Sequence, residues 1–229
     1  MPRNPIQSRR TFIAASLAAT AVFALPGCAT TGSYSYTEAI RRLLLLSSEN
    51  AFARMTAPGG YWDQQVAQIG LNQLFGSRGN VLANILTSTL FKSRLEDVAA
   101  GIAVDASYRA APIVVDAVRT IGWANAIDLI RGGPTAASGF LRQEMGTALI
   151  DAMVPGVGDA LRVAQDPLIG QLVAGLTGVD IGGMATTFAT EVDDAIWGEI
   201  AREESSIRAD PAATRDPVLI GVFGPGAAF

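Results

Sequence analysis

The side chains able to do acid–base or metal chemistry are concentrated in one stretch near the C-terminus. Its carboxylates are Asp193, Asp194, Glu199, Glu203 and Glu204. Glu199 and Glu203 are four apart and share one face of a helix, whereas Asp193 and Glu199 are six apart and do not. Two carboxylates in one turn could ligate a hard cation such as Ca²⁺, which takes about six to eight oxygens. Most such runs are solvated faces, so we predict no metal site and expect Arg202 and Arg208 to act as counter-charges.

Nucleophilic catalysis has little support in the sequence. There is no histidine, and the single cysteine is Cys28. Ser-His and Cys-His nucleophile pairs and histidine-based zinc sites are therefore excluded. Three residues separate Ser88 from the lone lysine, Lys92, which is one too many for the Ser-x-x-Lys motif of penicillin-binding enzymes. We predict a protein that is not an enzyme and has no cofactor, with Lys92 solvated at a helix end.

The N-terminus has the pattern of an export signal. Arg9 and Arg10 precede an apolar run from Thr11 to Pro26, which is shorter than the roughly 20 residues of a spanning helix. A basic start, an apolar middle and small residues at the end are typical of a cleaved secretory signal. Residues 8–13, SRRTFI, resemble the twin-arginine signal, which is an address and not an anchor. Export by the general secretory route is the alternative.

Cys28 is the predicted lipidation site. The signal ends in Leu25-Pro26-Gly27-Cys28, which resembles a bacterial lipobox although Pro26 replaces the usual small residue. The resemblance implies cleavage after residue 27 and acylation of Cys28. Each buried CH₂ of an acyl chain adds about 0.8 kcal/mol, so several chains hold a protein on a membrane. Since Ala29 is not the Asp that retains such lipoproteins at the inner membrane, we expect an outer-membrane lipoprotein facing the periplasm. A soluble periplasmic protein is the alternative.

Charge and length constrain the part of the chain after the signal. Residues 28–229 hold 14 basic and 21 acidic residues, a net charge of −7. This acidic balance disfavours nucleic acid as a partner. A chain of about 200 residues buries roughly 70% of its unfolded surface, so one self-sufficient core is expected. One cysteine cannot form a disulfide within the chain.

Helical spacing dominates residues 37–224, and strand patterns are nearly absent. We predict an all-α, single-domain multi-helix bundle there, preceded by a signal at 1–27 and a tether at 28–36 and followed by a tail at 225–229. Thr37 is expected to cap a first helix, and Pro112 to break or kink a helix over 94–120. Proline after a capping position predicts helix starts at Gly133-Pro134, Asp166-Pro167 and Asp210-Pro211.

The longest amphipathic helix is predicted from Asp180 to Arg208. One apolar stripe runs along it at steps of three, four and seven, formed by Ile181, Met184, Phe188, Val192, Ile196, Ile200 and Ile207. Glu204 and Arg208 stand four apart in the favourable order, which predicts a structural ion pair. The segment Leu168–Ile181 is apolar with glycines at 170, 175 and 178, which favours a packed core helix or the wall of a pocket.

The C-terminal residues resemble a known family. A long helix closes in Glu-Glu-x-x-Ile-Arg at 203–208, followed by Asp210-Pro211 and a short helix ending in Val222-Phe223-Gly224. The upstream matches are Ala111-Pro112-Ile113, Ile130-Arg131-Gly132 and residues 136–140, AASGF. This pattern is similar to an uncharacterised bacterial family catalogued as domain of unknown function 4197. The resemblance implies an α-helical envelope protein and brings no activity or catalytic residue.

Two functions from different classes fit these observations. The first is a membrane-tethered helical scaffold that binds another envelope protein, which predicts an exposed apolar patch of several hundred Å². The second is a carrier of an apolar ligand, such as a lipid or quinone, in a cavity between helices. Its expected lining includes Phe140, Leu149, Leu161 and Leu172.

Overall fold

Helices account for nearly all the regular structure of the residues described by the computed structural model, which are 35–70, 89–162 and 180–227. In chain order they are α1 (Tyr36–Met55), α2 (Tyr61–Ile69), α3 (Thr89–Thr120), α4 (Ala126–Arg131), α5 (Ala136–Met145), α6 (Ala148–Arg162), α7 (Ile181–Ala209), the 3₁₀ helix Pro211–Thr214 and α8 (Pro217–Phe223). The described ranges contain no strand, so the all-α prediction is confirmed. Arg9, Arg10, Cys28, Asp166-Pro167 and residues 168–179 lie outside them.

The amphipathic helix α7 is central to the fold. It packs most extensively on α6 and α1, and also contacts α5 and α3. Phe188, Val192, Ile196 and Ile200 of its stripe are at most 1% exposed. Its first turn is capped by Asp180, whose Oδ1 accepts a hydrogen bond from the Gly183 amide at 3.0 Å. The predicted helix therefore forms where its cap and periodicity place it.

Helix α3 is a single element of 32 residues despite Pro112 in its interior. Of the expected break or kink, the break is wrong, and the kink stays a prediction; Pro112 is exposed, so its ring lies away from the packed face. That face is rich in alanine, with Ala99, Ala103 and Ala110 fully buried. The segment Lys92–Thr120 is long and apolar enough to cross a membrane, by length and composition alone, and 44% of its most apolar window is buried within the fold.

Helix starts follow the proline signals only in part. α1 begins at Tyr36 with Ser35 in the capping position, so Thr37 is not the cap. α5 begins at Ala136, beyond Gly133-Pro134. Pro211 does begin a helix, of the 3₁₀ type, with the Asp210 side chain accepting from the Ala213 amide. Local capping signals thus fix starts to within a residue or two.

Candidate functional site

Four of the six acidic residues of α7 are buried rather than solvated. Asp193, Glu199, Glu203 and Glu204 are 2%, 5%, 7% and 0% exposed, whereas Glu191 is half-buried and Asp194 is on the surface. The solvated-face interpretation is therefore wrong. A signal for this was present in the sequence: Glu204 occupies the stripe position between Ile200 and Ile207, which faces the core. Buried carboxylates require partners, and those of α7 find them within α7 itself and on two neighbouring helices, α1 and α5.

Asp193 is held from two sides. Its Oδ1 accepts from the Trp197 indole N–H at 3.0 Å, and its Oδ2 accepts from Arg142 Nη2 of α5 at 3.0 Å. Arg142 also contacts the exposed Asp194. Burial raises the pKa of Asp193 and outweighs the lowering effect of Arg142 and Trp197. The carboxylate therefore serves to join α7 to α5.

Glu199 and Glu203 form a second cluster with two arginines. Arg202 donates to both Glu199 oxygens, at 3.0 and 2.6 Å, and to Glu203 at 2.7 Å. Arg54 of α1 lies 2.9 Å from Glu199 and also contacts Glu203. Burial raises the pKa of Glu199, Arg54 opposes the rise, and burial beside Glu199 raises that of Tyr61 to about 12. Two carboxylates and two guanidinium groups balance, which leaves no excess charge for a cation.

Glu204 caps a helix that lies far from it in sequence. Its Oε1 accepts from the Ala137 amide at 3.0 Å and its Oε2 accepts from the Ser138 amide at 2.7 Å. These amides belong to the first turn of α5, whose own capping residue, Thr135, makes no side-chain cap. A carboxylate suits this position because it satisfies unbonded amides and complements the helix dipole.

Arg208, also on α7, extends this arrangement to α4, the helix that precedes α5. Its Nε donates to Glu204 Oε1 at 2.8 Å, the pair expected from their spacing. Its other nitrogens donate to the carbonyls of Ile130 at 3.0 Å and Leu129 at 2.9 Å, near the end of α4. The guanidinium carbon also lies 4.8 Å from the centre of the Phe223 ring in α8. We call Glu204 and Arg208 the clamp, because together they hold the end of α4, the start of α5 and α8.

The clamp gathers most of the residues that carry the family pattern. Gly132 lies in the turn between α4 and α5, where a Cβ would come within 2.5 Å of the Ala136 Cβ. Gly224 follows α8, where a Cβ would come within 2.3 Å of the Ile220 carbonyl oxygen. The motifs at 130–132, 136–140, 203–208 and 222–224 therefore describe one packed junction. Ala111-Pro112-Ile113 lies apart from it, on α3.

Asp216 is a further structural residue that the sequence analysis did not single out. Its Oδ1 accepts from the Val218 and Leu219 amides, at 2.8 and 3.2 Å, and its Oδ2 accepts from Arg42 Nη1 of α1 at 3.0 Å. Burial acts to raise the pKa of Asp216, but the Arg42 and amide hydrogen bonds outweigh it and lower that pKa. The Asp-Pro start signal recurs at Asp216-Pro217 and could have revealed this cap.

Several grooves among the described elements are open to solvent, including one of about 370 Å³ beside Asn50, Glu203 and Asp210 and the two that follow. The first, which we call the α3–α6 groove, has a volume of about 260 Å³ and a floor of Ile102, Ala106, Met153 and Val157. Its rim carries Asp105, Arg109 and Asp159. The second lies between α5 and α7, has a volume of about 230 Å³, and includes Arg142, Asp194 and Trp197.

Two of the side chains expected to line an enclosed cavity, Leu149 and Phe140, pack within the fold. Leu149 is 1% exposed in the core, Phe140 packs against Trp123 at 5.6 Å between ring centres, and Leu161 is half-buried. Leu172 lies outside the described residues. Lys92 is 64% exposed and lies 3.7 Å from Glu96, while Ser88 is outside the described residues. Within the described ranges no three histidine, cysteine, aspartate or glutamate side chains are grouped to hold a metal ion.

The fold and this junction define a class: an all-α domain whose last long helix carries buried carboxylates that cap and pair with its neighbours. The chain belongs to the DUF4197 family, a protein family of unknown function, whose model matches residues 30–224. Neither a curated protein nor a solved structure matches the chain. The family match therefore shows which proteins the chain is related to and assigns no activity.

Proposed function

We propose that this protein is an outer-membrane lipoprotein that faces the periplasm and acts as a helical scaffold for another envelope protein. One observation carries the proposal: every buried carboxylate of α7 is engaged by an arginine, an indole or a helix amide. Carboxylates held in this way stabilise a rigid framework and are not available as general acids or bases, which need to reach a substrate proton. These observations support a non-enzymatic role as part of the proposal.

The remaining support comes from the N-terminal sequence and the surface. The pattern at 8–28 supports export and acylation of Cys28, so that acyl chains attach the protein to the membrane. Among the described residues the exposed large apolar side chains are Tyr36, Tyr108, Ile127 and Ile220. They lie on four different helices and are the positions at which we expect a partner protein to be contacted.

Mass spectrometry of the full-length product, purified from the envelope of a bacterium that expresses it, tests the attachment. We expect a mass equal to residues 28–229 plus acyl chains. An unmodified protein beginning at another residue would contradict the lipoprotein assignment. Cys28→Ser is the matched variant and is expected to move the protein from the membrane to the soluble periplasmic fraction. Replacing Arg9 and Arg10 by Lys is expected to hold the precursor in the cytoplasm, whereas normal export would indicate the general secretory route.

Site-specific photocrosslinking in cells tests the scaffold. A crosslinker at Tyr108, which is 60% exposed, is expected to give one adduct of defined mass with an envelope protein, and the same group at the exposed, polar Glu144 is the control. Loss of the adduct in the Cys28→Ser variant would tie the partner to the membrane location. Adducts of equal yield and variable mass from all positions would argue against a specific partner.

The second candidate function is binding of an apolar ligand, and the α3–α6 groove favours it. Its floor is formed by Ile102, Ala106, Met153 and Val157, which are 7%, 3%, 0% and 2% exposed. Apolar floors with a few polar groups at the rim are typical of small-molecule sites. The volume of about 260 Å³ is just below the roughly 300–1,000 Å³ usual for such sites, so the occupant would be small.

A further inference from the structure

Arg109 is the unusual residue of the α3–α6 groove. It is exposed, and it makes no hydrogen bond or ion pair with any other residue in the described ranges. Its side chain nevertheless lies against α6, since a Cβ at Gly156 would be 3.0 Å from Arg109 Nε and 3.1 Å from Cζ. Glycine at 156 therefore leaves room for the guanidinium to lie across the groove beside its apolar floor.

The other charged residues at the rim of the groove limit which ligand charges can bind there. Asp159 is paired with Arg162 at 3.1 Å. Asp105 precedes Arg109 by one helical turn but forms no ion pair with it within the described residues. The rim thus offers one guanidinium for bonding, near one unpaired carboxylate. Asp105 repels a dianion such as a phosphate monoester about twice as strongly as a single carboxylate, and the planar guanidinium can bond that carboxylate in a bidentate manner.

We infer that the α3–α6 groove binds an aliphatic monocarboxylate, with its chain on the Ile102, Met153 and Val157 floor and its carboxylate on Arg109. This inference rests on the second candidate function and names its ligand class. It is independent of the scaffold proposal. The groove is open and small, so a short or medium acyl chain fits it better than a long one.

Titration calorimetry of the purified full-length chain with octanoate tests the inference. Three probes separate the contributions: 1-octanol has the same chain without the charge, acetate has the head without the chain, and octylamine reverses the charge. We expect octanoate to bind most tightly. Arg109→Gln is expected to weaken octanoate binding about tenfold, because a charge-assisted hydrogen bond is lost, and to leave 1-octanol binding unchanged.

Matched variants locate the site. Arg119→Gln makes the same change at an exposed position ten residues further along α3 and is expected to leave octanoate affinity unchanged. Ala160→Phe fills the groove from its half-buried rim and is expected to abolish binding of both chain-bearing probes. It thereby separates the groove from any binding by the apolar N-terminus. Thermal unfolding of each variant verifies that it folds.

The outcomes are distinguishable. Equal octanoate affinity in the wild type and Arg109→Gln, or tighter binding of octylamine, would overturn the monocarboxylate class while leaving the apolar-ligand function in place. Absence of binding for octanoate and 1-octanol alike, or binding unaffected by Ala160→Phe, would remove the groove as a ligand site. Neither result bears on acylation of Cys28, which is decided by the mass measurement.

Discussion

An arginine lies between helices in both the clamp and the α3–α6 groove, but one is fully bonded and, among the described residues, the other is free to bond a ligand. The Arg208 side chain is 9% exposed and donates to Glu204, Leu129 and Ile130. Arg109 is exposed, crosses to α6 beside Gly156 and makes no bond with the described residues. A buried charge that lacks a bonding partner costs several kcal/mol of stability, whereas an exposed charge is solvated and stays available. Burial therefore separates the structural arginine from the binding candidate.

Removing the clamp carboxylate is expected to have the largest effect. Glu204→Ala leaves the start of α5 uncapped and the Arg208 charge buried without its partner. Breaking a buried pair from one side costs about 3–5 kcal/mol, and urea unfolding at neutral pH measures it. The control is Asp194→Ala, which removes a carboxylate whose side chain is 54% exposed and is expected to cost at most about 1 kcal/mol. Similar losses in the two variants would contradict the structural difference.

A substitution in the turn between α4 and α5 is expected to lower stability by a smaller amount, through a steric clash. Gly132→Ala places a methyl 2.5 Å from the Ala136 Cβ, so the turn held by the clamp must shift, at a cost of about 1–3 kcal/mol. Gly139→Ala, in α5 with nothing within 4 Å, should instead stabilise by up to about 1 kcal/mol, because alanine favours the helix. Thermal unfolding of both variants checks the opposite signs. A neutral Gly132→Ala would show that the turn is loosely held.

The pH dependence of stability distinguishes two carboxylates: Asp193, whose pKa is raised by burial, and Asp216, whose pKa is lowered by hydrogen bonds. The pKa of Asp193 is raised above its ordinary 3.8, so the folded state binds its proton more tightly and stability falls as pH rises above that value. The pKa of Asp216 is lowered from 3.8, so its contribution is present above that value and is lost as pH falls through the folded pKa.

The variants Asp193→Asn and Asp216→Asn show how the contribution of each carboxylate to the free energy of unfolding changes with pH. As pH rises from about 3 to 6, the stability of the wild type relative to Asp193→Asn should decrease, while that relative to Asp216→Asn should increase toward its plateau. Chemical unfolding at a series of pH values provides both curves. Slopes of the same sign would contradict the opposing environments.

The groove arginine is expected to have the smallest effect on stability. Arg109→Gln removes no bond among the described residues, so the free energy of unfolding should change by less than about 0.5 kcal/mol. Arg119→Gln should behave alike, which urea unfolding checks. A loss above about 1 kcal/mol for Arg109→Gln alone would place Arg109 with the structural arginines and weaken the ligand inference.

Much of the fold was predictable because helices are local. The predicted helix from Asp180 to Arg208 differs by one residue at each end from α7, Ile181–Ala209. Ile40, Leu43, Leu44 and Phe52 of α1 are buried as their spacing indicates. The failures lie at starts where competing signals are adjacent, as at Ser35 and Thr37, and at Pro112, where the helix continues through a proline on its exposed face.

The partners of the α7 carboxylates on other helices were not predictable from spacing. Arg54 and Glu203 are 149 residues apart in sequence, and Glu204 and the Ala137 amide are 67 apart. The partners within one turn were accessible to sequence reasoning, because Arg202 beside Glu199 and Arg208 beside Glu204 are three and four residues away and were expected as counter-charges. Glutamate within the apolar stripe indicated burial, but nothing local indicated which helix would supply the amides.

By itself, the sequence determined the helical class, the apolar stripe of α7 and the family kinship, because periodicity and motif depend on residues close together in the chain. The tertiary structure alone decided which groups on α1 and α5 bond the buried carboxylates of α7. It also decided which arginine remains available. The physical reason is that charge is tolerated inside a protein only where groups from distant segments meet it in bonding geometry, and chain packing sets those meetings.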